Sequence, residues 1–69
     1  MGLKNKLKEI RNTHQYSQDY LANALGVSRQ TIISIEKGKY NPSLPLAMQI
    51  ARIFNVYVEE IFLLEDSEE

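Results

Sequence analysis

Four side chains at the start of one capped stretch carry the hydrogen-bonding groups that reading DNA bases requires: Arg29, Gln30, Thr31 and Ser34. A guanidinium can donate two parallel bonds to O6 and N7 of guanine, and a glutamine amide can pair with N6 and N7 of adenine. Thr31 and Ser34 offer hydroxyls to bases or phosphates, and the Thr31 methyl can touch a thymine methyl. Arg29 and Gln30 follow Ser28 directly, so they fall in a first helical turn, the part of a helix that meets base edges when it lies in a major groove. Ile33 is apolar where the helical period points outward, which suits thymine methyls or packing under Tyr40.

A second set suits phosphate. Gln18 heads the preceding helix, whose free N–H groups and positive dipole end favour an anion. Ser28 and Lys37 at the ends of the 28–37 stretch, with Lys39 and Asn41 just beyond it, can grip neighbouring phosphates. Singly, each of these residues has an ordinary use as a cap or a solvated side chain; on one face, together, they fit a double-stranded DNA operator.

Catalysis lacks the residues it needs. The chain has no cysteine, no glycine-rich phosphate loop and no carboxylate pair set in an apolar pattern. Its single histidine, His14, stands in the polar run Asn12 to Gln15 with no partner at metal-site spacing, and reads as a solvated loop residue. Glu59 and Glu60 are adjacent and point to different sides of a helix. The expectation is a protein without enzyme activity, metal or cofactor. No apolar run approaches the roughly 18 residues a membrane span needs, and no signal pattern opens the chain. With cysteine absent, a cytoplasmic location is expected.

The 69 residues allow one domain, expected at 1–66 with a loose acidic tail at 67–69. So short a chain buries only about 60% of its unfolded surface and must rely on close helix packing or oligomerisation. The formal net charge of −1 hides a division. Residues 1–58 hold all eight Lys and Arg against three acids, while the last eleven residues hold six acids and no base. A basic body with an acidic end is a usable electrostatic footprint for nucleic acid.

The elements that must position the candidate residues are legible in the punctuation. Leu3, Leu7 and Ile10 recur at i, i+4, i+7 and predict a first helix with Lys4, Lys6 and Lys8 on its polar side. Ser17 is a good N-cap, Tyr16 and Leu21 have the spacing of a hydrophobic staple, and Leu21, Ala22 and Leu25 face inward. Gly26 ends that helix; Val27, Ser28 and Ile32 repeat the same start signal, Ile32 and Ile35 face inward, and Gly38 ends the next. Two short capped helices with a glycine-bearing turn, spanning 17–38, match a helix-turn-helix. Ser43 caps a fourth helix with Leu44, Ala47, Ile50, Ala51 and Phe54 inward, closed by Asn55. A fifth is expected from Val58 to Phe62, and Phe62-Leu63-Leu64 can extend as a strand against Gly2-Leu3. Arg11 and Glu36 lie at the borders of apolar stripes with opposite charges, and are expected to form a mostly buried ion pair tying the first helix to the end of the third.

These residues resemble the phage Cro and repressor-type helix-turn-helix family, also called the xenobiotic-response-element family. The likeness is carried by Ser17-Gln18, Leu21-Ala22, Leu25-Gly26-Val27-Ser28, Arg29-Gln30-Thr31-Ile32, Ile35-Glu36-Lys37-Gly38, Tyr40-Asn41-Pro42-Ser43-Leu44, Ala47, Ile50-Ala51 and Glu59-Glu60-Ile61-Phe62, nearly the whole chain. It is greatest to short stand-alone members without an effector domain. The resemblance implies an all-α, five-helix lambda-repressor-like domain, operator DNA, and a homodimer on a near-palindromic site. It also implies phosphate contact by Gln18 and Lys37, base contact by Arg29, Gln30 and Ser34, and Arg11–Glu36 as the internal pair. Three positions depart from the pattern: Gln15 stands where a glycine is common, Tyr20 where an acid is common, and Tyr57 where a small cap is usual.

The function expected is therefore a sequence-specific transcriptional regulator, acting as a repressor by occluding a promoter. The alternative is a protein-binding module such as an antitoxin or adaptor, presenting the apolar residues Tyr57, Val58, Ile61 and Leu63 to another chain. A homodimer interface is the milder use of that same patch.

Overall fold

Among the described residues, serine hydroxyls open three of the five helices. In the computed structural model, which describes residues 3–64, the side chains of Ser17, Ser28 and Ser43 accept hydrogen bonds from the backbone N–H groups of Tyr20, Thr31 and Leu46. The helices they start are α2 (Gln18–Leu25), α3 (Arg29–Glu36) and α4 (Leu44–Phe54), preceded by α1 (Leu7–Thr13) and followed by α5 (Val58–Ile61). Such a cap is worth about 1 kcal/mol because it satisfies a donor that the first turn otherwise leaves open. Endings are equally local. Gly26 takes φ +72° after α2, Gly38 takes φ +77° after α3, and Asn55 takes φ +58° after α4.

The first helix starts later than its apolar spacing predicts. Leu3 belongs to a strand, β1 (Leu3–Asn5), which pairs antiparallel with β2 (Phe62–Leu64) in the register Leu3↔Leu64, Lys4↔Leu63, Asn5↔Phe62. Of the two expectations for Leu3, the pairing of the ends replaces the longer helix; Gly2 and the expected tail at 67–69 lie outside the described residues. The switch from strand to helix is made by Asn5. Its Oδ1 accepts from the Leu7 N–H at 3.2 Å, starting α1, and its Nδ2 donates to the Ile35 carbonyl at 2.9 Å, fastening the C-terminal turn of α3. Phe62 likewise belongs to β2 and not to the fifth helix.

The core lies between α1, α2, α3 and the later helices. Leu7, Leu21, Ile32, Ile35, Ile50 and Ile61 have no exposed surface, with Ala22, Ala47, Ala51, Phe54 and Phe62 completing the cluster. Each such aliphatic side chain contributes about 1.5–3 kcal/mol by leaving water. Leu44 departs from its expected inward place: as the first residue of α4 it is 68% exposed, and Leu46 packs against the core instead. His14 is exposed but not idle. Its Nδ1 donates to the Ile10 carbonyl at 3.0 Å, and its ring meets Phe54 edge-on at 5.0 Å.

Gln15 occupies the left-handed region at φ +60°. That explains why the family resemblance points to glycine there: a Cβ at positive φ is strained by about 1–2 kcal/mol. Allowing for the greater chain entropy of glycine when unfolded, Gln15→Gly is expected to stabilise the fold by about 0.5–1 kcal/mol. Thermal melting, expected to rise by roughly 2–8 °C in a domain of this size, checks it; an unchanged or lower Tm would show that the exposed Gln15 side chain carries some other stabilising contact.

Candidate nucleic-acid interface

The turn between α2 and α3 brings the first turns of both helices to one surface. Arg29, at the first position of α3, and Gln30 beside it are exposed, whereas Thr31 and Ser34 are half-buried. Thr31 also has a structural use: its Oγ1 lies 3.0 Å from the Ser28 Oγ that caps the helix. Ile32 and Ile35 anchor the opposite side of α3 in the core, so rotation of the helix about its axis is blocked and the outward set is fixed. Ile33 is half-buried and Tyr40 exposed.

Beneath this surface lies a chain of charged and polar contacts. Arg11 Nε donates to Glu36 Oε2 at 2.6 Å and Nη2 to Oε1 at 3.3 Å, the two side chains being only 9% and 5% exposed. Arg11 Nη1 donates to the Tyr16 carbonyl at 2.9 Å. The ion pair thus joins α1, the loop before α2 and the end of α3, and each charge is met by further hydrogen bonds, as burial of a charge demands. Gln18 Nε2 donates to Glu36 Oε1 at 3.1 Å, and Gln18 Oε1 accepts from Arg29 Nε at 3.4 Å. Asp19 Oδ1 lies 3.8 Å from the same Arg29 Nε. The Gln18 side chain, expected at a phosphate, is therefore largely engaged within the protein, with one amide hydrogen left over.

Lys37, Lys39 and Asn41 are exposed and follow α3 around its C-terminal turn, where Lys39 N–H donates to the Ser34 carbonyl at 3.0 Å. Sequence reasoning did not assign a part to Asp19 or Asn5. Asp19 carried only the signal of an acid in a first helical turn, and the Asn5 contact spans thirty residues, beyond any local pattern.

The expected partner patch needs one correction. Ile61 is wholly buried in the core and presents nothing to another chain, because α5 is a single turn whose inward side it occupies. Tyr57 is 78% exposed, and Val58 and Leu63 are half-buried. Tyr57 offers no side-chain cap; instead the Glu60 carboxylate accepts its N–H at 2.8 Å, which starts α5.

A helix-turn-helix family model matches residues 7–61, from the first residue of α1 to the last of α5. The chain belongs to the helix-turn-helix family. An uncharacterized HTH-type transcriptional regulator of Methanocaldococcus jannaschii is 61% identical over 66 residues, covering 96% of this chain and 100% of that protein. The cryptic phage CTXphi transcriptional repressor RstR of Vibrio cholerae is 32% identical over 63 residues, covering 91% of this chain and 55% of the repressor. Among solved structures, the N-terminal DNA-binding domain of SinR from Bacillus subtilis superposes with a TM-score of 0.72 at 29% identity, covering 93% of this chain and 91% of that domain. The family comprises DNA-binding transcriptional regulators rather than enzymes, and DNA binding in the regulation of transcription is the function of this chain. Among the described residues no group of three or more His, Cys, Asp or Glu is placed to hold a metal ion, and no helix is long and apolar enough to cross a membrane.

Proposed function

We propose that the protein is a cytoplasmic repressor that binds a near-palindromic operator as a homodimer and occludes a promoter. In this reading α3 enters the major groove; Arg29 and Gln30 read base edges, and Thr31 and Ser34 add hydroxyl contacts at the groove wall. Lys37, Lys39 and Asn41 hold phosphates beyond the C-terminal turn, and Ser28 and the N-terminal turn of α2 with Gln18 hold those on the other side. The observation that carries the reading is the exposure of Arg29 and Gln30 at the start of α3, while Ile32 and Ile35 lock its opposite face in the core. The likeness to a phage repressor supports the negative sign of regulation.

The dimer is assigned to the end of the chain that presents Tyr57, with Val58 and Leu63 at its margin; Leu64, 71% exposed, takes the place that Ile61 was expected to fill. In such a dimer, two α3 helices about 34 Å apart, one turn of B-DNA, would fit successive major grooves. Sedimentation equilibrium over a wide concentration range tests this. The expected result is a mass of twice 8.0 kDa at high concentration that Tyr57→Ala shifts toward the monomer. A monomer mass throughout, with and without operator, would remove the dimer. Capture of a second protein that does not weaken with salt, with no DNA sequence preferred, would instead favour the adaptor or antitoxin reading.

A further inference from the structure

The contacts of Arg29 define more than its position. Its Nε edge faces two acceptors on the first turn of α2, Gln18 Oε1 at 3.4 Å and Asp19 Oδ1 at 3.8 Å. The orientation of the Gln18 amide is not free to invert. A carboxylate only accepts, so the group facing Glu36 Oε1 at 3.1 Å must be the amide NH₂, and the carbonyl is left pointing at Arg29. Glu36 is itself immobilised by Arg11, with a side chain 5% exposed. A buried ion pair thus fixes Glu36, Glu36 fixes the Gln18 amide, and the amide with Asp19 fills the Nε side of the guanidinium.

We propose that Asp19 is a positioning residue for Arg29, setting which of its donors meets DNA and so determining base specificity without touching a base. With Nε engaged, the free donors of Arg29 are the two terminal Nη groups, presented end-on as the pair that matches O6 and N7 of guanine. An exposed arginine with no such restraint has a competing partner at every nucleotide, since phosphates flank the groove regardless of sequence. Asp19 opposes that alternative twice over: its carboxylate attracts Arg29, and it repels a phosphate brought up to the Arg29 guanidinium. The acid therefore lowers affinity for all DNA and raises the ratio between right and wrong sequences, the use of an unfavourable contact to discriminate. Both side chains are well exposed, 62% for Arg29 and 71% for Asp19, so the attraction is small and the fold does not depend on it.

This inference rests on the DNA-reading role of α3 and is tested separately from it. The probes are the duplex that the wild-type protein selects from a random library, the same duplex changed at the base pair that Arg29→Ala ceases to discriminate, and a random-sequence duplex of equal length. For Asp19→Asn, affinity for the random duplex is expected to rise, and discrimination at the Arg29 base pair to fall, each by about two- to fivefold. In an Arg29→Ala background the same substitution should leave unaltered the remaining discrimination between the selected and the random duplex. In the DNA-free protein, the Arg29 Nε–H proton should exchange faster with solvent in Asp19→Asn than in wild type. An equal change on all three duplexes, an unaltered Nε–H exchange rate, or a loss of discrimination that persists without Arg29 would overturn the proposal. Failure of the wild-type protein to select any sequence appears before a variant is made and brings down the DNA reading itself.

Discussion

Glu36→Ala is expected to destabilise the fold by about 3–5 kcal/mol, because it strands a buried arginine charge. Arg11 would keep only its bond to the Tyr16 carbonyl, and Gln18 Nε2 would lose its acceptor. At roughly 0.05–0.15 kcal/mol of net stability per residue, a chain of 69 residues has about 3–10 kcal/mol in total, so the loss takes about a third of it or more. The unfolded fraction at 37 °C should rise steeply, and DNA binding should fall with the folded fraction although no DNA contact was removed. The distinguishing measurement is the double replacement. Arg11→Met with Glu36→Leu removes both charges and refills the volume, so denaturant melts should show it to be far more stable than Glu36→Ala alone. Additive losses in the double variant would mean that the pair is not the reason for the damage.

Arg29→Ala should act in the opposite manner, leaving the melting curve nearly unchanged while costing about 1–3 kcal/mol of operator binding and relaxing preference at one base pair. The side chain is exposed and holds no core contact, so stability has little to lose. Lys37→Ala supplies the contrast. It should weaken all sequences alike and reduce the steepness of the salt dependence, since one phosphate contact accounts for a slope of about 0.9 in log–log form. Binding isotherms on matched and mismatched duplexes at several salt concentrations separate the two effects. An Arg29→Ala protein with unchanged affinity and base preference would show that α3 docks in some other way.

The features that proved legible in the sequence are those decided within one turn of the chain. Ser17, Ser28 and Ser43 announced three helix starts because a cap acts on an N–H only three residues away. Gly26 and Gly38 announced two ends because positive φ is itself a local property. Arg11 and Glu36 were visible as opposite charges beside apolar stripes, and lie 2.6 Å apart. What escaped was settled at a distance. Leu3, Leu7 and Ile10 have helical spacing, but the backbone of Leu3 is claimed by Leu64, sixty-one residues on. Ile61 sits in a helix of four residues, too short for periodicity to distinguish its inner from its outer side. Leu44 shows the same degeneracy at a helix end, where Leu46 took the inward place. The contact between Asp19 and Arg29 crosses the turn, and no pattern within either helix encodes it.

The central claim is that the outward face of α3 reads a DNA sequence. Selection of bound duplexes from a random-sequence library, followed by sequencing, tests it most directly. The expected result is enrichment of one site made of two inverted half-sites, centred about 10 base pairs apart, with the preference at one position of each half-site lost in Arg29→Ala. A bound pool as varied as the starting library, or a preference that Arg29→Ala leaves intact, would contradict it.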